Sequence, residues 1–265
     1  MTRRRASIFI VLTLVAFCVT GCASREPVTL RVLTYNIHHG EGMDKKLDLK
    51  RIATVINEAK PDLVAVQEVD RGVERTGRVD EPAELARLIG TRAIFEKNIT
   101  YQGGDYGNAV LSRFPVESYE NHRLPQSIPG EQRGALEVRI RVKDRPIVFI
   151  ATHLDYHPDE GERLASVAML KEIVERHGRT PVIVAGDFNA VPESEVMKRA
   201  FDFLRDTFDA DVSSPFTYPA DAPRSRIDYI LYSRCPAMKC IEYRIIPEAV
   251  ASDHRPVLAV FTVAP

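Results

Sequence analysis

The chain has no excess of positive charge: its 265 residues include 36 Lys and Arg against 37 Asp and Glu. Without Arg3, Arg4 and Arg5 of the N-terminal segment, 33 basic residues remain against the same 37 acidic ones. Proteins that bind nucleic acid through its phosphates usually carry a basic excess or a basic face. The composition therefore argues against nucleic acid as the main partner and leaves room only for a local basic patch.

Internal repeats, low-complexity tracts and long linkers are also absent from the sequence. Nothing therefore marks a boundary between two domains, and the chain is long enough for a single large one. Its 45% hydrophobic and 28% charged residues are ordinary for a soluble globular enzyme. We expect one domain, over residues 28–265, that acts as a monomer.

The apolar run at the N-terminus is too short to span a membrane as a helix, because residues 6–20 number about 15 and a span needs about 20. The run follows three arginines and ends in Val19-Thr20-Gly21-Cys22, which resembles the bacterial lipobox. In such signals the Cys is diacylated and becomes the first mature residue, and its acyl chains hold the protein on a membrane surface. We therefore predict a signal peptide at 1–21, lipidation of Cys22 and a tether at 22–27.

Two alternatives stay open for this segment: a plain secretory signal, and an uncleaved anchor in which the Cys is incidental. Ala23, rather than an acid, follows Cys22, which resembles outer-membrane sorting if the host has two membranes. The predicted location is then the periplasmic face of the outer membrane. An exported location also permits a disulfide between Cys235 and Cys240, although two buried thiols are equally consistent with the sequence.

Hydrophobic periodicity predicts about ten strands and only a few helices. Apolar or alternating runs predict strands at 28–37, 63–68, 92–96, 107–112, 134–142, 146–154, 181–185, 227–232, 241–246 and 257–263. Helical spacing predicts helices at 49–59, 82–89, 164–174 and 193–204. Two packed sheets covered by helices, in an α/β (α+β) domain, account for this pattern.

Polar side chains follow these apolar runs repeatedly, as in Gly186-Asp187-Phe188-Asn189-Ala190 after the run at 181–185. In an extended segment Asp187 and Asn189 face the same way, so they can meet one ligand together; a simple polar turn is the alternative. The other polar residues beside strands are Asn36, Glu68, Asn108, His153, Asp228, Asp253 and His254.

The residue types in this set indicate metal-assisted chemistry on phosphate. Carboxylates and amides without a thiolate suit Mg²⁺ or Mn²⁺. His153 and His254 can move protons or bind a phosphoryl oxygen, and Asp228 can hold His254 in one tautomer. No Gly-x-Ser-x-Gly elbow points to covalent catalysis.

Seven motifs, in order, resemble the endonuclease/exonuclease/phosphatase superfamily with the deoxyribonuclease I-like fold. They are Thr34-Tyr35-Asn36-Ile37, Val66-Gln67-Glu68, Tyr106-Gly107-Asn108-Ala109-Val110-Leu111-Ser112, Thr152-His153-Leu154, Gly186-Asp187-Phe188-Asn189, Arg226-Ile227-Asp228-Tyr229 and Ser252-Asp253-His254. The resemblance implies a four-layer sandwich of two mixed β-sheets flanked by helices, and a metal-dependent phosphoric ester hydrolase.

The resemblance also implies roles. Glu68 would be the main Mg²⁺ ligand (Mn²⁺ is the alternative), with Asn36 and Asp253 completing the site. Asp187 and Asn189 would position the attacking water and the phosphate. His254 with Asp228 would act as a base or a transition-state ligand, His153 would bind phosphate or protonate the leaving oxygen, and the formal base stays open between Asp187 and His254. The predicted substrate-binding residues are Tyr106, Asn108 and Arg133.

The sequence departs from the family pattern at His38, where some DNA-repair members carry an acid two residues after the first Asn. A carboxylate ligand is therefore missing at this position. His38 or His39 could contact substrate, but the solvated state, which is commoner for loop histidines, is the favoured interpretation.

The shared motifs do not distinguish lipid-linked, inositol-type and nucleotide phosphoesters. Specificity is expected in the loops at 69–81, 97–106, 121–133 and 209–225. Net acidity and the predicted lipid anchor favour a small or lipid-linked phosphoester. An extracytoplasmic nuclease, and a non-catalytic phosphoester-binding lipoprotein, are the alternatives; a calcineurin-like enzyme is disfavoured because its Gly-Asn-His motif is missing.

The anchor is testable in cells. Cys22→Ser should move the protein from the membrane fraction to the soluble fraction, because the acylated sulfur is lost. The check is fractionation and immunoblotting beside a Cys235→Ser control. A Cys22→Ser protein that still sediments with membranes would contradict lipidation at this residue.

Overall fold

The computed structural model describes residues 26–208 and 215–264. The predicted signal peptide and Cys22 lie outside the described residues. The strands are β1 Val28–Asn36, β2 Leu63–Arg71, β3 Arg92–Tyr101, β4 Gly104–Ser112, β5 Val116–Arg123, β6 Gly134–Val142, β7 Arg145–His153, β8 Val182–Asp187, β9 Leu204–Asp206, β10 Asp228–Ser233, β11 Met238–Ile245 and β12 Val257–Val263. The α-helices are α1 Leu49–Ala59, α2 Glu81–Ile89, α3 Gly161–Arg176 and α4 Glu195–Phe203.

Two six-stranded sheets form the centre of the described chain, in the orders β11-β12-β1-β2-β4-β3 and β5-β6-β7-β8-β10-β9. Each sheet is mixed, because β1 pairs with β2 and β7 with β8 in parallel, whereas the other pairs are antiparallel. The predicted sandwich of two mixed sheets with flanking helices is confirmed.

Strands of both sheets are buried on both faces, which explains their nearly continuous apolar runs. In β1, Leu30 and Val32 pack between the sheets, whereas Leu33 and Tyr35 pack under α1. In β7, Phe149 packs between the sheets and its neighbours face α3 and α4. The helices α1 and α2 thus cover one outer face, and α3 and α4 cover the other.

Two strands were not predicted. β5 reads Val-Glu-Ser-Tyr-Glu-Asn-His-Arg and lies at a sheet edge with most of its side chains exposed, so it carries little hydrophobic signal. β9 has only three residues, too few for a period to be recognised.

Gly186 sets the spacing of β7 and β8 next to the site. A Cβ at Gly186 would lie 1.9 Å from the carbonyl oxygen of Thr152, so only glycine permits this approach. The register places Asp187 between His153 on β7 and Asp228 on β10. A single backbone constraint therefore brings three of the predicted site residues side by side.

The sequence pattern indicated that the polar residues stand at strand ends, but not all of them do. Asn36, His153 and Asp187 end their strands, but Asp228 begins β10. Because β10 is antiparallel to β8, its first residue lies at the edge where β8 ends. Glu68 lies inside β2, where the pairing with β4 shifts register between Val66 and Val69.

Cys235 and Cys240 form no disulfide; the Cys235 thiol instead donates to the carbonyl oxygen of Arg179 at 3.2 Å. None of the helices in the described part of the chain is long and apolar enough to cross a membrane.

Candidate active site

A cavity of about 370 Å³ lies where the two sheets meet at this edge. Eight of the predicted residues line it: Glu68, Tyr106, Arg133, His153, Asp187, Asn189, Asp253 and His254. Three do not line it and are buried: Asn36, Asn108 and Asp228. The structure thus places the first group in contact with the cavity and the second behind its wall.

A row of three buried side chains crosses the floor of the cavity. His254 Nδ1 lies 2.9 Å from Asp228 Oδ2, and His254 Nε2 lies 3.7 Å from Asp187 Oδ2. The hydroxyl of Thr217 accepts a hydrogen bond from the backbone N–H of Asp228, and the ring of Tyr218 packs on the imidazole at 4.8 Å. The two carboxylates therefore flank one imidazole, each facing a different ring nitrogen.

Asn36 joins the two sheets at the site. Its Nδ2 donates to Glu68 Oε1 at 2.9 Å and to Asp187 Oδ2 at 3.2 Å. Its Oδ1 accepts from the backbone N–H of His38, and its backbone carbonyl accepts from the hydroxyl of Ser252. One amide therefore fixes the distance between the carboxylate of the first sheet and that of the second.

His153 is held by an arginine rather than by a carboxylate. Arg133 Nη1 lies 3.2 Å from His153 Nδ1, which must accept because a guanidinium only donates. A neutral ring then carries its proton on Nε2, which faces Asp187 Oδ2 at 3.5 Å; Asn189 Nδ2 lies 3.2 Å from the same nitrogen. Burial, followed by the charges of Arg133 and His254, lowers the pKa of His153 well below its usual value. His153 is therefore a neutral imidazole with one N–H directed into the site.

Asn189 reaches the cavity by a route that differs from the predicted one. The strand ends at Asp187, and Asn189 has a left-handed backbone with φ of 48°. Its N–H donates to Asp187 Oδ1, and its side-chain amide donates to the carbonyl oxygen of Leu154. Both side chains do face one cavity, but an Asx turn rather than an extended segment brings them together.

Tyr106 and Asn108 have different places although they belong to one motif. Tyr106 lines the cavity, and burial, followed by the charge of Glu68, raises its pKa. Asn108 donates to the carbonyl oxygen of Gly134 at 3.0 Å and so bridges the two sheets behind the cavity. The predicted contact of Asn108 with substrate stays a prediction.

Several residues of the cavity lining have a strained backbone. Four of the non-glycine residues with positive φ line it: His38, His39, Glu68 and Asn189, at 47°, 44°, 58° and 48°. Side chains rarely adopt this conformation, which costs about 1–2 kcal/mol for each residue. Such strain is typical of residues whose position is fixed by function.

Sequence reasoning missed several cavity residues, although each of the four loops that it named for specificity contains at least one of them. Arg75 donates from Nε and Nη2 to the buried Asp70 at 2.8 and 2.9 Å, and it lies against the ring of Tyr101. Neither Arg75 nor Tyr101 stands beside a predicted apolar run, so no sequence pattern identified them. The other unpredicted aromatic residues of the lining are Tyr156 and Tyr218.

Comparison with known proteins places this geometry in a family. The model of the endonuclease/exonuclease/phosphatase family matches residues 33–254. The chain belongs to this family. Members of the endonuclease/exonuclease/phosphatase family are hydrolases that act on phosphoesters.

Individual proteins agree with this assignment. The uncharacterized protein YbhP of Escherichia coli K12 is 34% identical over 176 residues, which cover 62% of this chain and 68% of YbhP. A family structure from Beutenbergia cavernae is 24% identical with a TM-score of 0.71, over 89% of this chain and 72% of that one. The mannosyl-6-phosphatase Bt3783 of Bacteroides thetaiotaomicron is 19% identical with a TM-score of 0.72, over 87% and 98%. The two structures show that the fold is shared.

Within residues 26–208 and 215–264, two sets of side chains bring metal-ligating atoms within 4.8 Å of one another: His38, His39 and Glu68, and Asp187, Asp228 and His254. In the second set His254 lies between Asp228 and Asp187, and the imidazolium form that these carboxylates favour has no lone pair for a metal. The first set contains the predicted main ligand of the family, Glu68, and Asp253 lines the same cavity. The residues present therefore fit a divalent cation at Glu68.

The pKa values of His254 and Asp187 are both raised. Burial alone would lower the pKa of His254, but Asp228 and then Asp187 outweigh it and raise the pKa to about 10. Burial, followed by repulsion from Asp228, raises the pKa of Asp187 to about 7. At neutral pH the site thus holds an imidazolium beside a carboxylate that can take up a proton.

Asp187→Asn should stabilise the metal-free protein at neutral and higher pH. Because the pKa of Asp187 is raised from 3.8 to about 7 on folding, its contribution to stability is lost as the pH rises between these values. The variant escapes this loss, so its advantage should grow from about pH 4 to about pH 7 and reach a few kcal/mol.

Urea unfolding measures this advantage by circular dichroism, since the chain has no Trp. Asp221→Asn, at an exposed residue outside the cavity, is the control and should not show the trend. An Asp187→Asn variant that is less stable than wild type at pH 8 would show that ionised Asp187 does not destabilise the fold.

Proposed function

We propose that the protein is a divalent metal-dependent phosphoesterase that attacks a small or lipid-linked phosphoester with water. The observation that carries the proposal is the buried row Asp228–His254–Asp187, which lies on the floor of a cavity that also contains Glu68 and Arg133. This row combines a fixed cation with a base of near-neutral pKa. In hydrolysis at phosphorus the cation can stabilise the phosphoryl oxygens and the base can take a proton from water.

The residues divide the work as follows. The imidazolium of His254 and the guanidinium of Arg133 offer positive charge to the phosphoryl oxygens, where charge builds in the transition state. Asp187 accepts a proton from the attacking water, and its raised pKa suits this because a general base works best near the working pH. Asn189 and Asn36 hold Asp187 in place.

His153 is assigned to substrate binding rather than to proton donation. A neutral imidazole whose pKa is lowered is a poor acid, but its Nε2–H can donate to a phosphoryl oxygen. The bond to the leaving oxygen then breaks as the water oxygen bonds to phosphorus. The leaving oxygen takes up a proton from solvent, and Asp187 releases to solvent the proton that it accepted, so the alcohol departs and the carboxylate is restored. A cation of Mg²⁺ or Mn²⁺ type held by Glu68 and Asp253, with Asn36 orienting Glu68, would supply further positive charge to these oxygens.

The size and lining of the cavity support a compact substrate. Small-molecule sites usually measure about 300–1,000 Å³, and this cavity lies at the lower end of that range. Four tyrosines line it: Tyr101, Tyr106, Tyr156 and Tyr218. Their rings suit the apolar face of a sugar or a similar group, in line with the name of the mannosyl-6-phosphatase neighbour. We further propose that the enzyme is an exported monomer that Cys22 anchors to a membrane by lipid.

Hydrolysis of p-nitrophenyl phosphate and bis-p-nitrophenyl phosphate should require a divalent cation and stop in EDTA. His254→Ala should lower kcat/KM by about 100-fold or more, because the charge opposite the phosphate is lost. His177→Ala is the matched control, since His177 contacts Glu137 and does not line the cavity. It should retain the wild-type rate.

Turnover without a metal, or turnover unchanged in folded His254→Ala, would overturn the proposal. Under the active metal, sugar phosphates, phosphoinositides, sphingomyelin and duplex DNA should be compared. We expect duplex DNA to be the poorest of these substrates.

A further inference from the structure

Two consecutive histidines, His38 and His39, stand beside Glu68 at the cavity wall. One ring nitrogen of each lies within 4.8 Å of the other and of a Glu68 carboxylate oxygen. The turn that presents them begins directly after β1, where Asn36 Oδ1 accepts the backbone N–H of His38 at 3.1 Å. The same Asn36 donates to Glu68, so one amide positions both sides of the cluster.

The tautomer of His38 prepares it to bind a metal ion. His38 Nδ1 lies 3.2 Å from the carbonyl oxygen of Glu41. Because a carbonyl can only accept, Nδ1 carries the proton and Nε2 presents a lone pair. Histidines that bind metals usually donate their other ring N–H to a carbonyl or carboxylate in this way, which fixes the ring.

His39 carries a bonding capacity that the fold does not use. The residue is only 8% exposed, and its Nδ1 is buried without a hydrogen-bond partner within the described residues. Leaving a buried polar atom unpaired costs about 1–3 kcal/mol. His38, His39 and Glu68 also all have left-handed backbones, which adds strain at each position. A ligand that bonds to the imidazoles would offset these costs.

We propose that His38, His39 and Glu68 form a mixed nitrogen and oxygen site for a transition-metal ion of the Mn²⁺ to Zn²⁺ series. This inference rests on the proposed function, and it narrows the choice of the cation that the phosphoesterase would use. Mg²⁺ prefers a shell of oxygens, whereas imidazole nitrogen favours the later ions of the first transition row. The two histidines therefore select against Mg²⁺ at this site.

The other possible occupant of the histidine pair is the substrate phosphate, and the two occupants predict different spectra. A phosphate would accept hydrogen bonds from ring N–H groups and leave any bound metal without nitrogen ligands. A metal at the cluster would be bonded to nitrogen before any substrate is added. The decisive observation is therefore the presence of coordinated ¹⁴N in the metal-loaded, substrate-free protein.

Electron spin-echo modulation of the full chain loaded with Mn²⁺ tests this directly. Wild type should show ¹⁴N coupling from bound imidazole. His38→Asp, which replaces the nitrogen ligand with oxygen, should weaken the coupling, as should His39→Gln. His157→Gln is the matched control, because His157 pairs with Asp155 and does not line the cavity. It should leave the spectrum as in wild type.

Calorimetric titration of the metal-free protein gives the second readout. The ratio of the Mg²⁺ to the Mn²⁺ dissociation constant should fall by about tenfold or more in His38→Asp, and it should stay unchanged in His157→Gln. A wild-type spectrum without coordinated nitrogen, or a ratio that does not change in folded His38→Asp, would overturn the proposal.

The wild-type spectrum decides the question even if a variant fails to fold. Neither measurement involves turnover, so the two proposals fail separately. Coordinated nitrogen in a protein that hydrolyses no phosphoester would sustain the metal site and refute the phosphoesterase. Hydrolysis by a protein without coordinated nitrogen would refute the metal site and sustain the phosphoesterase.

Discussion

The contact between His254 and Asp228 is the interaction on which the site depends, because it permits a second carboxylate to be buried next to it. The β8–β10 register sets Asp187 opposite Asp228, and both are 1% exposed. Two such carboxylates would repel each other strongly in a medium of low dielectric. An imidazolium that faces both of them offsets this repulsion. The two carboxylates in turn favour the protonated form of the imidazole.

The rest of the site is formed where residues from the two sheets meet. Asn36 and Glu68 come from the first sheet, whereas His153, Asp187 and Asp228 come from the second. The distances between these groups are set by how the sheets pack, and the amide of Asn36 bridges the gap directly. Changes in the core between the sheets should therefore reach the chemistry, although no core residue touches a substrate.

The sequence allowed much of this arrangement to be predicted, and the failures have physical causes. Asp187 and His153 follow long apolar runs, so the sequence pattern predicted that each stands at the end of a strand. The bulge that turns Glu68 toward the cavity and the Asx turn that turns Asn189 depend on left-handed backbones, which residue type alone does not reveal. Arg75 was missed because its partner, Asp70, and the nearby Tyr101 come together only in the folded chain.

Because two buried carboxylates flank it, His254 should be an imidazolium at neutral pH. Nitrogen-15 spectroscopy of histidine-labelled protein, with His254 assigned by comparison with His254→Gln, measures the protonation of both ring nitrogens. We predict that both stay protonated from about pH 6 to about pH 9, since the pKa is raised to about 10. A ring that has one unprotonated nitrogen at pH 7 would show that the two carboxylates do not hold His254 in its charged form.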